Sequence, residues 1–163
     1  ASPESWGDLA RELGRAVADA GGRWLTLRPY GGASWETTSP SADAPGRSSW
    51  SISVADDRCT VIVDATPDGR DGFARAVASI PGRHEVDEKR VAEALYAPAD
   101  TEPDLIVIFA ERDHLPPSLV WELAYGELVY AETPFGGLDA DLVADAIATF
   151  ETRDRRFGGL SPS

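Results

Sequence analysis

Residues 104–130 read DLIVIFAERDHLPPSLVWELAYGELVY, and this stretch decides the fold class. Leu105–Phe109 is a continuous apolar run, typical of a parallel strand that is buried on both faces. Pro116-Pro117 predicts the start of a helix, and Leu128–Ala131 predicts a short strand after it. A strand, a helix and a second strand in this order indicate a parallel α/β unit.

The rest of the chain continues this alternation of strands and helices. Residues 3–20 predict an amphipathic helix, because Trp6, Leu9, Leu13 and Val17 recur at helical spacing. Further strands are predicted at Arg23–Leu27, which should be buried, at Ser51–Val54 and at Cys59–Ala65. Further helices are predicted at Asp71–Ile80, from Asp87 through Tyr96 and after Asp139, and Asp87 and Asp139 can cap the last two. We therefore expect an α/β fold with a mainly parallel central sheet flanked by helices, formed by residues 1–163 as a single domain.

One long segment interrupts the pattern. Residues 29–49 are rich in Gly, Ser and Pro and show no apolar periodicity, so they predict a long surface loop. Loops of this length are uncommon inside a compact domain and are often functional.

Composition limits the class of partner. The formal charge is −13, and such a chain repels nucleic acid and anionic membrane surfaces at long range. No apolar run approaches the roughly 18 residues that a membrane-spanning helix needs. The single cysteine, Cys59, lies in an apolar run, which predicts a buried core thiol and a protein of the reducing cytoplasm.

The acidic patches do not predict a metal site in this chain. Asp56-Asp57 and the aspartates of residues 139–145 lack the D-D-x-x-D spacing of a paired metal-binding motif. Helix caps and a solvent-exposed turn explain them better.

The stretch from Asp104 to Gly159 resembles the C-terminal part of the cis-prenyltransferases, the family that includes undecaprenyl diphosphate synthase. That family reads D-L-[LIV]-I-R-T-[SG]-G-E-x-R-[LI]-S-N-F-[LM]-[LP]-W-Q-x-A-Y-x-E-L-x-F and ends in R-R-F-G-G. The two align without a gap, and the matching residues are Trp121, Ala124, Tyr125, Glu127, Leu128 and Arg155–Gly159. Gly22–Trp35 and Val61–Val77 resemble two upstream family segments less closely.

The departures from the family pattern concern substrate binding. Ile108 and His114 occupy the positions of two arginines that hold diphosphate in the family. The family's M-D-G-N-x-R strand, whose aspartate positions magnesium and the allylic diphosphate, has no counterpart in this sequence. Residues 29–49 replace a helix that helps to enclose the growing isoprenoid in the family.

The resemblance also assigns roles to individual residues. Arg156, Phe157 and Gly158 match the R-x-G tail, which in heteromeric members reaches from an auxiliary subunit into the diphosphate site of its partner. A flexible glycine and a bidentate arginine suit a phosphate. The same residues also fit a cationic last helical turn with a glycine cap. Glu127 and His114 are possible supporting ligands of the diphosphate.

The resemblance places the dimer interface in the same region, at Trp121, Tyr125 and Tyr130. It implies a non-catalytic subunit of the Nogo-B receptor type, with no catalytic residues of its own. Its partner would be a catalytic cis-prenyltransferase that condenses isopentenyl diphosphate with an allylic diphosphate, using Mg²⁺ held mainly by that partner and the substrate. Two alternatives stay open: a diverged small synthase that is active alone, and a homodimeric regulatory or binding pseudoenzyme.

Overall fold

The computed structural model describes residues 6–28, 49–64, 68–82, 86–109, 115–119, 121–124, 126–131 and 137–152. These residues form an α/β structure, as the sequence predicts. In chain order the elements are α1 (Trp6–Asp19), β1 (Trp24–Leu27), β2 (Ser49–Val54), β3 (Cys59–Asp64), α2 (Gly69–Ser79), α3 (Glu88–Tyr96), β4 (Leu105–Ile108), a 3-10 helix (Glu122–Ala124), β5 (Glu127–Tyr130) and α4 (Ala140–Thr152).

The strands of the described residues lie in two sheets. The first has the order β1-β3-β2, in which β1 is parallel and β2 antiparallel to β3. The second consists of β4 and β5, which are parallel. Parallel pairing in both sheets agrees with the expectation of a mainly parallel fold, and the antiparallel strand β2 follows from the tight turn at residues 55–58 that joins it to β3.

Helix α1 and strand β3 form the centre of the core. Leu9, Leu13 and Val17 are buried, as their helical spacing predicts, and they pack with Val61 and Val63 of β3. Helix α1 lies against all three strands of the first sheet, and α4 packs on both α1 and β4. One layer of helices therefore covers strands of both sheets.

The helix starts follow from short-range capping. The carboxylates of Asp68, Asp87 and Asp139 accept backbone N–H hydrogen bonds of 2.8, 2.8 and 2.9 Å in the first turns of α2, α3 and α4. The caps predicted at Asp87 and Asp139 are thus confirmed. An aspartate at this position satisfies a backbone donor that the helix leaves without a partner and opposes the positive end of the helix dipole.

Three sequence-based predictions need correction. The helix predicted to begin at Pro116-Pro117 is replaced, in the described residues of that region, by a turn and the short 3-10 helix Glu122–Ala124. Ser49 belongs to β2 and pairs with Asp64, so the predicted loop at residues 29–49 extends one residue too far; residues 29–48 lie outside the described part. Strand β1 is half-buried rather than buried, with Thr26 exposed.

Candidate functional site

A cavity of about 270 Å³ lies at the carboxyl ends of β1 and β3. Arg28 follows the last residue of β1, Asp64 is the last residue of β3, and both side chains line the cavity. Residues of α2 and α3 form a further wall, and Ser118, Trp121 and Glu122 line it as well. In open α/β sheets ligands bind at the carboxyl ends of parallel strands, which makes this cavity the candidate site.

Arg28 is the centre of the polar contacts in the cavity. Its Nη1 atom donates a hydrogen bond to the Glu122 carboxylate and lies 3.3 Å from the backbone oxygen of Ser118, while its Nε lies 3.7 Å from Asp64 Oδ2. The Glu122 side chain is only 5% exposed, against 20% for Arg28. One guanidinium thus holds two carboxylates in a largely water-excluded place, where each charge needs its partner.

An aromatic pair forms the apolar part of the wall. The rings of Phe73 and Trp121 stack with their centroids 5.5 Å apart and an angle of 28° between their planes. The N–H of Gly69, the first residue of α2, donates a 2.9 Å hydrogen bond to the Pro117 carbonyl. This contact and the stacking join the 115–124 region to α2, so that Glu122 is presented to Arg28.

A second polar cluster lies at the opposite end of β1. Asp100 accepts hydrogen bonds from Trp24 Nε1 at 2.8 Å and from Arg23 Nη2 at 3.2 Å. The Trp24 hydrogen bond, helped by the charge of Arg23, lowers the pKa of Asp100 below its usual value. This exposed cluster links the start of β1 to the segment that leads into β4.

The ionisable side chains that line the cavity within the described residues are Arg28, Arg75, Asp64, Glu122 and Tyr96. Among the described residues that line it there is no histidine, lysine or cysteine side chain. Arginine stays protonated in proteins and does not exchange protons with a substrate. Within the same part of the chain, no group of three or more His, Cys, Asp or Glu side chains could hold a metal ion.

Comparison with known proteins gives one consistent result. Residues 47–158 match the family model described as putative undecaprenyl diphosphate synthase. The chain belongs to the cis-prenyltransferase family. No solved structure matches the chain.

Curated relatives of this cis-prenyltransferase-family chain are much longer than the aligned part. This chain is 32% identical to isoprenyl transferase 2 of Bradyrhizobium diazoefficiens, in an alignment that covers 63% of this chain and 44% of the relative. It is 38% identical to a ditrans,polycis-undecaprenyl-diphosphate synthase of Lactiplantibacillus plantarum over 37% of its length and 23% of the relative's. It is 29% identical to the bifunctional protein CrtB/UppS of Streptomyces coelicolor over 67% of its length and 21% of the relative's. The chain therefore spans less than half the length of each.

The described site residues named from the family pattern lie on β4, on β5 and in the segment between these strands. Ile108, at a family arginine position, is the last residue of β4 and is 4% exposed, so this position is apolar and buried. Glu127 and Tyr130 are the first and last residues of β5, both half-buried, and the Glu127 N–H donates to the Asp104 carbonyl at 3.0 Å. Of the described residues named from the family pattern, only Trp121 lines the cavity.

Five further residues with predicted roles lie outside the described part of this cis-prenyltransferase-family chain. They are His114, Tyr125, Arg156, Phe157 and Gly158. Their predicted roles therefore remain predictions. The same chain has no helix, within its described residues, that is long and apolar enough to cross a membrane.

Sequence reasoning missed the Arg28–Glu122–Asp64 cluster. A signal for two of its members existed, because Arg28 and Asp64 each stand at the end of an apolar strand, and the carboxyl ends of neighbouring parallel strands meet. Glu122 carried no such signal. It is 94 residues from Arg28 in the chain, and it stands where the family pattern has glutamine.

Proposed function

We propose that this chain is a non-catalytic subunit of a heteromeric cis-prenyltransferase. Its partner subunit would bind the allylic diphosphate and condense isopentenyl diphosphate onto it. The chain would contribute one half of the subunit interface and the Arg156-Phe157-Gly158 tail. The family membership supports the reaction class, and the loss of diphosphate-binding groups supports the auxiliary role.

The observation that carries the proposal is the chemistry at the end of β4 and in the cavity beside it. Ile108 replaces an arginine and is buried, so it offers no charge to a phosphate. Arg28 and Arg75 line the cavity, and Arg28 already holds Glu122 and Asp64. A diphosphate would have to displace two carboxylates that repel it, which opposes binding in this chain's own pocket.

The described carboxylates do not fit a magnesium site either. Magnesium needs several oxygen ligands in near-octahedral geometry. Asp64 and Glu122 are both directed at the Arg28 guanidinium, whose charge a metal ion would have to displace. In the proposal, Mg²⁺ is therefore held by the partner subunit and the substrate diphosphate, and no step is assigned to it in this chain.

The tail supplies a charge that the partner's site would use. An arginine fork makes charge-assisted hydrogen bonds to phosphate, and Gly158 allows the backbone to approach closely. Glu127 and His114 are proposed to support this region. Trp121, Tyr125 and Tyr130 are proposed to contact the partner, with Trp121 fixed in orientation by its stacking on Phe73.

Arg156→Ala tests the tail in the complex with the host's full-length cis-prenyltransferase. A charge-assisted phosphate contact is worth about 1.5–3 kcal/mol, so turnover should fall about 10- to 100-fold while the complex stays assembled. Arg153→Ala, another arginine of the same segment, is the matched control and should change turnover less than twofold. Equal effects of the two substitutions would remove the assigned role of Arg156.

A further inference from the structure

The connecting segment, residues 115–124, lies between β4 and β5 and carries Trp121, which the proposed function places at the subunit interface. Its described residues form a turn and the 3-10 helix Glu122–Ala124, in place of the helix that Pro116-Pro117 predicts. A 3-10 helix of three residues has few backbone hydrogen bonds of its own. Contacts with other elements must therefore fix the conformation of this segment.

Arg28 holds two parts of the connecting segment with one guanidinium group. Its Nη1 atom lies 3.3 Å from the backbone oxygen of Ser118, in the turn, and donates a hydrogen bond to the Glu122 carboxylate, in the 3-10 helix. Ser118 and Glu122 are both buried, and the Arg28 side chain is 20% exposed. Hydrogen bonds from a charged donor are stronger than neutral ones, and low solvent exposure strengthens them further. The end of β1 thus holds the turn and the 3-10 helix together.

Trp121 lies in the chain between the two residues that Arg28 holds. Ser118 precedes it by three positions, and Glu122 follows it directly. The Trp121 ring stacks on Phe73 of α2, with the ring centroids 5.5 Å apart. A ring keeps such a stacked position only if the backbone that carries it stays in place. Arg28 therefore acts on the orientation of Trp121 through the backbone of its neighbours.

We propose that Arg28 is a positioning residue for subunit assembly: it holds the connecting segment in the conformation in which Trp121 meets the partner subunit. The identity of the partner rests on the proposed function. Loss of the Arg28 contacts removes no side chain of the proposed interface. It lowers the fraction of molecules in which the segment is competent to bind, and the apparent Kd rises as the inverse of that fraction.

The chemistry of arginine suits this role. The guanidinium is planar and presents its N–H donors at fixed angles. While Nη1 faces Ser118 and Glu122, Nε lies 3.7 Å from Asp64 Oδ2, at the end of β3, which helps to orient the whole group. Lysine carries the same charge on one ammonium group and does not reproduce this fork. Arg28→Lys should therefore keep only part of the effect of Arg28.

Amide hydrogen exchange, followed residue by residue by NMR on the 163-residue chain, tests the positioning without a partner. The N–H groups of Leu119 and Gly126 donate 3.0 Å hydrogen bonds to the carbonyls of Pro116 and Glu122, so they report on the conformation of the segment. In the Arg28→Met protein both amides should exchange about tenfold faster or more, because a hydrogen bond to a charged group corresponds to a roughly 10- to 100-fold change in an equilibrium constant. Unchanged exchange at both amides would overturn the proposal.

Two further variants separate positioning from a general loss of stability. Arg28→Met leaves the Glu122 carboxylate buried without this cation, whereas Arg28→Met combined with Glu122→Gln, the residue of the family pattern, removes that charge as well. The double variant should still show fast exchange at Leu119 and Gly126. Gly14→Ala is the matched control, because its added Cβ meets Val side chains of the first sheet and not the connecting segment. It should leave the exchange of both amides unchanged.

The host's full-length cis-prenyltransferase is then titrated with each protein by calorimetry. Arg28→Met and the double variant should bind about tenfold more weakly or worse, Arg28→Lys should lose less, and Gly14→Ala should stay within about twofold of the unaltered chain. Faster exchange at Leu119 and Gly126 together with an unchanged Kd would reject the assembly role of Arg28 and keep the proposed function. If the unaltered chain did not bind at all, the proposed function would fail, and the assembly role with it.

Discussion

Replacing Glu122 by alanine removes the buried carboxylate that pairs with Arg28. Breaking a buried ion pair from one side costs about 3–5 kcal/mol, because the remaining charge stays in a poorly solvated place. Arg28 is 20% exposed and keeps Asp64 at 3.7 Å and the Ser118 carbonyl at 3.3 Å, which offset part of that cost. We expect a loss of about 2–3 kcal/mol in the free energy of unfolding, or about 5–10 °C in Tm.

Urea unfolding monitored by tryptophan fluorescence and by circular dichroism measures this loss, and an unchanged slope with urea shows that the same transition is compared. Glu93→Ala is the matched control, because Glu93 lies on the surface with its Oε1 atom 3.8 Å from Lys89 Nζ. This exposed ion pair should contribute less than about 0.5 kcal/mol to the free energy of unfolding. A double-mutant cycle with Arg28→Ala should give a coupling above about 1 kcal/mol. If Glu122→Ala and Glu93→Ala had equal effects, the buried cluster would not stabilise the site as argued.

Three further predictions concern packing, capping and the single thiol. Gly14→Ala places a Cβ 2.4 Å from a Val61 methyl and 2.7 Å from a Val54 methyl. The substitution should therefore lower the free energy of unfolding by about 1–2 kcal/mol, although alanine favours the helix more than glycine does. A higher free energy of unfolding would contradict this packing. Asp87→Ala removes the cap of α3 and should cost about 1 kcal/mol in urea unfolding, whereas Asp87→Asn, which also caps, should cost less. Burial raises the pKa of the Cys59 thiol above that of an exposed thiol. The unfolded chain therefore loses the thiol proton first, and the free energy of unfolding should fall as the pH rises above the pKa of an exposed thiol. The Cys59→Ala protein should lack this contribution to the pH dependence.

Much of the fold followed from local patterns in the sequence. The apolar spacing of α1 and the caps Asp87 and Asp139 depend on neighbours a few residues apart, and the structure confirms them. The run Leu105–Phe109 does form a strand, at Leu105–Ile108, but within this strand only Ile108 is buried rather than the whole run. The prediction of a helix after Pro116-Pro117 was wrong. There the backbone forms tertiary contacts instead: the Pro117 carbonyl accepts from Gly69, and the Ser118 carbonyl accepts from Arg28.

The site was harder to predict from the sequence than the fold was. The family pattern identified Ile108 as a lost arginine, and its burial agrees. The Arg28–Glu122 pair joins positions 94 residues apart, and no local rule connects them. The division of the described strands into two sheets likewise depends on how strands pair across the chain, which the periodicity within one strand does not predict.

Prenyl transfer by the purified chain alone is the most direct test of the central claim. The chain is incubated with radiolabelled isopentenyl diphosphate, an allylic diphosphate and Mg²⁺, with and without the host's full-length cis-prenyltransferase. The account predicts no labelled prenyl product from the chain alone, and more product from the prenyltransferase with the chain than without it. Sustained turnover by the chain alone would contradict the account and identify the chain as a synthase in its own right.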